Sequence, residues 1–163
     1  MGAPLDTRAL RSALGAFPTG VCLVTTRGPD GRCEGVTINS FASVSLDPPM
    51  VLWSLACTAP SLARFSAAPR YAIHVLCAED EAVSRHFARP AADKFAAFPE
   101  RFADDDGLPL LTGAAATFVC RNTQRHPGGD HVVFLGEVER FELAEAMPLV
   151  FHRGRYGLVA HPA

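Results

Sequence analysis

Hydrogen-bonding side chains alternate with apolar residues between Gly35 and Leu55. The residues of interest in the first half are Thr37, Asn39, Ser40, Phe41, Ser43, Val44 and Ser45. The chain then breaks at Asp47-Pro48-Pro49 and enters a second apolar run. Hydroxyl and amide groups donate and accept hydrogen bonds, so such a segment can hold a planar ligand with polar edges against an apolar wall. Composition leaves a second reading open, in which these hydroxyls only serve turns and caps around the prolines.

Other kinds of chemistry have little support in the sequence. There is no G-x-S-x-G elbow, and none of the five scattered cysteines belongs to a C-x-x-C pair, so we expect buried, reduced cysteines and no disulfide framework. His126, Asp130 and His131 flank a Gly-Gly turn, where a turn role is favoured over metal ligation, and no metal site is predicted. Neither a P-loop nor G-x-G-x-x-G occurs, so a nicotinamide cofactor, if used, is not held by a Rossmann unit.

Composition predicts a single globular domain over residues 1–163, with 48% hydrophobic and 20% charged residues. The formal net charge of −2 provides no basic field, so neither nucleic acid nor an anionic membrane is expected as a partner. The first residues contain no signal-peptide apolar region, and no apolar run approaches membrane-spanning length. We therefore expect a cytoplasmic protein.

The elements that must position the Gly35–Leu55 stretch are mostly short strands. Asp6 or Thr7 can cap a helix at 8–16, and further helices are predicted at 61–67 and 79–87. Strands are predicted at 21–39 (a hairpin), around Val44, and at 50–55, 70–76, 114–125, 131–143 (after a turn at 126–130), 149–152 and 156–159. Residues 89–106 are expected to be an irregular surface excursion with short helical turns. Without regular βαβ alternation, this pattern favours a β-barrel with helical decoration.

Five motifs occur in order between about residue 10 and residue 158. They are Phe17-Pro-Thr-Gly-Val21 with Val24-Thr-Thr26; Gly35 to Ser45 with Pro48-Pro49; Asp93-Lys-Phe95; Gly129-Asp-His131 with Gly136-Glu-Val138; and Pro148-Leu-Val-Phe151 before Arg153-Gly-Arg-Tyr156. Together they resemble the short-chain flavin reductase family, the small reductase components of two-component flavin-dependent monooxygenases.

The resemblance implies a mainly β fold, a flavin-binding split β-barrel of Greek-key type with a few short flanking α-helices. It implies a homodimer whose flavin sites lie close to the subunit interface. The implied activity is NAD(P)H:flavin oxidoreduction, in which NADH or NADPH reduces FMN or FAD and the reduced flavin passes to a partner monooxygenase. Because the nicotinamide folds into the flavin site in this family, the resemblance also accounts for the missing Rossmann fingerprint.

The resemblance further assigns roles to individual residues. Along the flavin ring and ribityl chain it places Thr37, Asn39, Ser40 and Phe41, with backbone contacts from Ser43 and Val44. Near the ribityl–phosphate region it places Ser54, Leu55 and Ala56, with Ser61 at a helix N-terminus and positive charge from Lys94 and Arg89. Against the nicotinamide it places His131, the candidate catalytic residue, and Tyr156. Three of these residues also have a structural alternative without cofactor contact. Lys94 would then be a solvated surface lysine, His131 the first residue of a hairpin strand, and Tyr156 a residue that only packs the barrel. Trp53 is expected to be a core residue.

Three functional alternatives stay open from the sequence. The protein could keep a tightly bound flavin and reduce another acceptor, such as a quinone, a cobalt corrinoid or ferric iron. It could store flavin without oxidising NAD(P)H, or it could be a scaffold without a ligand. The sequence does not choose between FMN and FAD or between NADH and NADPH, and it does not identify the monooxygenase.

Overall fold

A computed structural model describes residues 5–160, whose strands form one seven-stranded antiparallel sheet and two smaller sheets. The strands are β1 (Thr19–Gly20), β2 (Cys22–Arg27), β3 (Cys33–Ile38), β4 (Ala42–Leu46), β5 (Pro49–Ala56), β6 (Arg70–Val75), β7 (Phe102–Asp105), β8 (Leu108–Leu111), β9 (Ala116–Gly128), β10 (His131–Leu143), β11 (Leu149–His152) and β12 (Arg155–Leu158). The helices are α1 (Thr7–Leu14), α2 (Leu62–Ala67) and α3 (Glu81–Phe87). The mainly β fold with a few short helices is thus as predicted.

The large sheet must curl, because its two edge strands are neighbours in the chain. Its strand order is β3-β2-β6-β9-β10-β5-β4, so β3 and β4 lie at opposite edges. Seven strands in a flat sheet would separate these edges by about 29 Å. The link 39–41 allows at most about 14 Å between Ile38 and Ala42. The edges therefore face each other, and within residues 5–160 the hydrogen-bonded ladder stays open between them.

Most predicted elements are present, and the differences are local. Asp6 caps α1 by accepting from the backbone N–H of Arg8 at 2.8 Å, and the helix ends at Leu14 instead of residue 16. The last long hairpin turns at Gly129–Asp130, because β9 continues to Gly128. Two elements were missed, the short strand β1 and the β7–β8 hairpin. The latter begins inside the predicted irregular excursion, after two 3₁₀ turns.

The barrel core is centred on Trp53, which is fully buried as expected. Its ring stacks on Phe134 at a centroid distance of 4.5 Å and meets Phe65 and Tyr71 edge-on at 5.1 and 5.5 Å. Along β5 every second side chain is buried, so the intervening ones lie on the other face of the sheet. Aromatic contacts of this kind add stability beyond the area that they bury.

Phe87, at the end of α3, packs α3 and the excursion after it onto β3. Its ring lies 5.1 Å from the ring of Phe95 and 5.6 Å from that of Phe102. A Cβ added at Gly35 of β3 would lie 2.7 Å from the Phe87 ring, so a glycine is required for this approach. The contact holds the segment with Lys94 against the strand that leads into the Asn39–Phe41 link.

A buried hydrogen-bond chain fastens the β7–β8 hairpin to the sheet. His74 is fully buried between the hydroxyls of Thr25, 3.0 Å from Nε2, and Thr117, 3.2 Å from Nδ1. The Thr25 hydroxyl donates to the carbonyl of Pro109 at 2.6 Å, so it accepts from Nε2–H of a neutral imidazole. Burial lowers the pKa of His74 to about 3.

The cysteines follow the expectation only in part. Cys22, Cys77 and Cys120 are buried, but Cys57 is exposed, because β5 ends at Ala56 and the chain leaves the sheet there. None of these cysteines forms a disulfide. Over residues 5–160, no helix is long and apolar enough to cross a membrane.

Candidate functional site

A cavity of about 190 Å³ opens where the end of β3 meets β11, β12 and the residue after α3. It is lined by Val21, Thr37, Ile38, Asn39, Ala88, Phe151 and Tyr156. Three of these, Thr37, Asn39 and Tyr156, are among the residues that the sequence motifs single out. We call this space the ring cavity, since it combines two polar side chains with an aromatic and aliphatic wall.

Ser84 of α3 joins the two sides of the ring cavity. Its carbonyl accepts a hydrogen bond from the Thr37 hydroxyl at 2.7 Å, and its own hydroxyl lies 2.8 Å from the phenol oxygen of Tyr156. The guanidinium of Arg85 lies over the ring of Tyr156, with its Cζ 4.8 Å from the ring centroid. Since Ser84 is fully buried, it fixes the positions of both wall residues.

A second cavity, of about 330 Å³, shares Ala88 with the ring cavity. Its lining includes four of the predicted site residues, Ala56, Ser61, Arg89 and Lys94. Ser61 directly precedes α2, but this helix has only six residues, and the Ser61 hydroxyl makes no capping bond to it. We call this space the cationic cavity, since Arg89 and Lys94 both contribute to it.

Lys94 is half-buried and partly used by the fold itself. Its ammonium group donates to the carbonyl of Gly35 at 2.8 Å and to that of Phe87 at 3.1 Å. Burial lowers the pKa of Lys94 below its ordinary value, and the negative charge of Glu34 partly opposes this shift. An ammonium group has three N–H donors, so one stays available for a ligand in the cationic cavity.

Glu34 is an acidic residue in the same cavity, and Arg64 compensates it. The guanidinium of Arg64 lies 3.1 Å from the Glu34 carboxylate and 2.7 Å from that of Asp30. Hydrogen bonding to Asp30 is the main reason that the pKa of Arg64 is raised, so its charge is secure. Arg64 therefore neutralises the carboxylate of Glu34, and the positive charges of Lys94 and Arg89 remain in the cavity.

Ser40 and Ser54 tie the link between β3 and β4 to β5. The Ser40 hydroxyl accepts from the backbone N–H of Ser54 at 2.9 Å and lies 3.2 Å from its carbonyl oxygen. The predicted polar pair thus clamps two segments together and lines neither cavity. The pair affects a ligand only indirectly, because it fixes the position of Asn39, the preceding residue in the link.

Four other predicted residues also lie outside the two cavities. The ring of Phe41 stacks on Phe118 at a centroid distance of 5.6 Å, and Leu55 is buried in the core because it follows the inward alternation of β5. Ser43 and Val44 lie on the edge strand β4, where Val44 falls in a register irregularity and is 48% exposed.

His131 begins β10 directly beside the cationic cavity. In the sheet register it is opposite Ala56, which lines that cavity, but its own side chain is 45% exposed and does not line it. Its Nδ1 lies 2.7 Å from the Asp130 carboxylate. That hydrogen bond is the main cause of the lowered pKa of Asp130.

Several residues at the two cavities were not predicted as site residues, among them Ser84 and Ala88. Ser84 lies in the predicted helix 79–87 and Ala88 directly follows it, but nothing in their spacing marks them. The available signal was structural, since a serine at the fully buried face of a short helix needs a hydrogen-bond partner.

The family model named "Flavin reductase like domain" matches residues 14–160. The chain belongs to the flavin reductase-like family. The match includes both cavities and confirms the resemblance drawn from the five motifs.

Individual relatives of this flavin reductase-like chain agree. FMN reductase (NADH) SmoA of Agrobacterium fabrum is 44% identical over 154 residues, which cover 93% of this chain and 86% of that protein. The reductase component of the flavin-dependent trigonelline monooxygenase of Acinetobacter baylyi is 42% identical, and the match covers 96% of this chain but 50% of that protein. This chain therefore spans about half the length of that relative.

A solved structure also matches this flavin reductase-like chain along its length. Streptomyces globisporus NADH:FAD oxidoreductase SgcE6, in complex with NAD and FAD fragments, superposes with a TM-score of 0.89 at 38% identity. The match covers 97% of this chain and 98% of that one. The mainly β fold is thus shared with a protein solved with both kinds of ligand.

Proposed function

We propose that this protein is an NAD(P)H:flavin oxidoreductase that reduces FMN or FAD and supplies the reduced flavin to a partner monooxygenase. One observation carries the proposal: the ring cavity and the cationic cavity adjoin at Ala88. A flavin nucleotide has the same polarity, with a planar ring that has polar edges at one end and a phosphate at the other. The relatives named above are reductases of this kind, and one is a monooxygenase component.

The residues present fit a flavin by their chemistry. Thr37 and Asn39 offer hydrogen bonds beside the apolar wall, and Lys94 and Arg89 offer positive charge where a phosphate would lie. The Thr37 hydroxyl already donates to Ser84, so its remaining capacity is to accept a hydrogen bond from a ligand N–H.

Flavin supplies a hydride acceptor, its ring N5, and the reduced nicotinamide supplies the hydride. Such a transfer needs little acid–base help from the protein, which must hold the two rings together and exclude water. Tyr156 and Phe151 form the apolar side of the ring cavity, and the hydrogen bond between the hydroxyls of Tyr156 and Ser84 keeps that side fixed. His131 is proposed to contact the nicotinamide from the turn before β10.

We further propose that the protein is a homodimer. In residues 5–160 several large apolar side chains are strongly exposed, including Leu46 of β4 at 94%, Phe17 at 75% and Leu14 of α1 at 67%. Side chains of this kind are candidates for burial against a second copy of the chain. Analytical ultracentrifugation should give twice the chain mass at micromolar concentration, and a monomer over the whole concentration range would refute the homodimer.

The activity is tested by a steady-state assay that crosses FMN and FAD with NADH and NADPH. We expect oxidation of the nicotinamide to depend on added flavin, with a preference for one nucleotide. Absence of stimulation by either flavin with either nucleotide would contradict the proposal. Retention of a yellow, non-exchanging flavin through purification would instead favour the tightly bound flavoprotein.

A further inference from the structure

A third cavity, of about 620 Å³, lies between α1 and the turn that joins β11 to β12. It is lined by Arg8, Arg11, Ser12, Gly15, Arg153 and Gly154. Half of its lining residues are arginines, and they come from two segments that are far apart in the sequence. We call it the arginine cavity.

No acidic residue of the described chain lines the arginine cavity. Over residues 5–160, no carboxylate lies within ion-pair distance of Arg8, Arg11 or Arg153. Several arginines elsewhere on the surface are paired in that way, namely Arg27, Arg64, Arg70, Arg101 and Arg121. Like charges around one concave surface repel each other and concentrate anions from solution. The arrangement is therefore suited to an anionic ligand.

Arg153 occupies a backbone conformation that disfavours it. Its φ angle is 49°, in the left-handed region, and Gly154 follows with a φ of 78°. Asn or Gly would adopt this conformation with less strain. The Arg153 N–H donates to the carbonyl of Gly15 at 2.9 Å, which fastens the turn to the end of α1. A strained residue of this type is explained if its side chain has a use.

The arginine cavity is connected to the ring cavity by shared lining residues. Arg153 also lines a neighbouring cavity of about 660 Å³, together with Arg155 and Tyr156. Tyr156 in turn lines the ring cavity. A ligand with its ring against Tyr156 could thus extend past Arg155 towards Arg153.

The charge of Arg11 also reaches the turn with His131. The pKa of Asp130 is lowered mainly by its hydrogen bond to His131, and Arg11 contributes in the same direction.

We propose that Arg8, Arg11 and Arg153 bind the diphosphate of NAD(P)H while its nicotinamide lies against the flavin at the ring cavity. This inference rests on the proposed function, and it assigns NAD(P)H because the diphosphate of FAD includes the phosphate already given to the cationic cavity. Guanidinium groups bind phosphate oxygens through paired, charge-assisted hydrogen bonds, and three of them more than neutralise the two negative charges of the diphosphate in a dinucleotide.

The binding test is equilibrium titration of the full chain with ADP, compared with FMN. The variant is Arg11→Gln combined with Arg153→Asn, because Asn tolerates the left-handed backbone and removes only the cation. Arg32→Gln is the matched control, since Arg32 is exposed and lines none of these cavities. We expect the double variant to raise the Kd for ADP about tenfold or more and the Kd for FMN less than about twofold.

Two outcomes of the titration would overturn the inference: an unchanged Kd for ADP in the double variant, or an equal loss in Arg32→Gln. Failure of the proposed function is a separate result, since wild-type protein would then oxidise no NAD(P)H whatever ADP does. Kinetics identify the source of the diphosphate. A higher KM for NADH with either flavin supports the inference, whereas weaker use of FAD but not of FMN, with an unchanged KM for NADH, would overturn it.

Discussion

The phenol oxygen of Tyr156 and the hydroxyl oxygen of Ser84 lie 2.8 Å apart, and this pair connects β12 to α3. The same serine accepts the hydroxyl of Thr37 through its carbonyl. Ser84 therefore holds residues from both sides of the ring cavity, although it does not line the cavity itself. It acts as a positioning residue.

Loss of this bond should weaken flavin binding modestly. A net hydrogen bond contributes about 1 kcal/mol, so Tyr156→Phe and Ser84→Ala should each raise the Kd for flavin by about fivefold. The double variant should be scarcely worse than either single one, because both remove the same bond. Fluorescence titration measures this, with Tyr71→Phe as the control in the barrel core. Additive losses would contradict the shared bond.

Lys94→Met should affect both folding and phosphate recognition. It leaves the carbonyls of Gly35 and Phe87 without their donor, which should lower the free energy of unfolding by about 1–3 kcal/mol. It should also weaken binding of FMN more than that of riboflavin, which has no phosphate. Arg89→Gln is the matched comparison, since no hydrogen bond of the Arg89 side chain occurs within residues 5–160. It should reproduce the phosphate effect alone.

His131→Ala should separate nicotinamide use from flavin binding. Because His131 lies outside both flavin cavities, we expect the KM for NAD(P)H to rise several-fold while the Kd for flavin stays within about twofold. Asp130→Asn tests the hydrogen-bonded neighbour and should have a smaller effect of the same kind. Equal losses in the two constants for His131→Ala would remove its assigned role.

His74 should make the fold sensitive to acid. Its pKa is about 3 in the folded chain and 6.5 as the ordinary value, so the unfolded chain binds the additional proton between these limits. The free energy of unfolding should therefore fall with decreasing pH below 6.5, by up to about 1.4 kcal/mol per pH unit from this residue. Urea unfolding should show a shallower pH dependence for His74→Gln and an unchanged one for the exposed control His126→Gln.

Gly35→Ala should displace residues that line the cationic cavity. The new methyl group would lie 2.7 Å from the Phe87 ring, so Phe87 and the segment with Lys94 must shift. Overpacking of this kind costs about 1–3 kcal/mol, and thermal unfolding should record it together with weaker FMN binding. Gly20→Ala is the control, because a Cβ there would meet no atom within 4 Å. An unshifted midpoint for Gly35→Ala would argue against the close approach.

Much of the fold was readable because its signals are local. The Gly28–Gly31 turn, the cap at Asp6 and the alternation in β5 each act within a few residues. The β7–β8 hairpin was missed because β7 carries acidic residues, and its place depends on the distant His74 and Thr25. Hydrophobic periodicity does not record such contacts.

The candidate site was predictable in outline only. Thr37, Asn39, Lys94 and Tyr156 all line one of the two adjoining cavities. The motif around Ser40 also includes residues that connect strands. A sequence alone does not distinguish such residues from those that contact a ligand. The arginine cavity was hidden for a related reason, since it brings together α1 and a turn near the other end of the described chain.

The pairing of Thr19 with Phe151 in the small β1–β11–β12 sheet has a consequence for synthesis. Thr19 is synthesised long before Phe151, so β1 has no partner strand until β11 has left the ribosome. The arginine cavity and the Tyr156 wall arise only when the late strands dock. The capacity to bind a nucleotide thus depends on strands from both ends of the described chain, and β11 also adds Leu149 to the buried core.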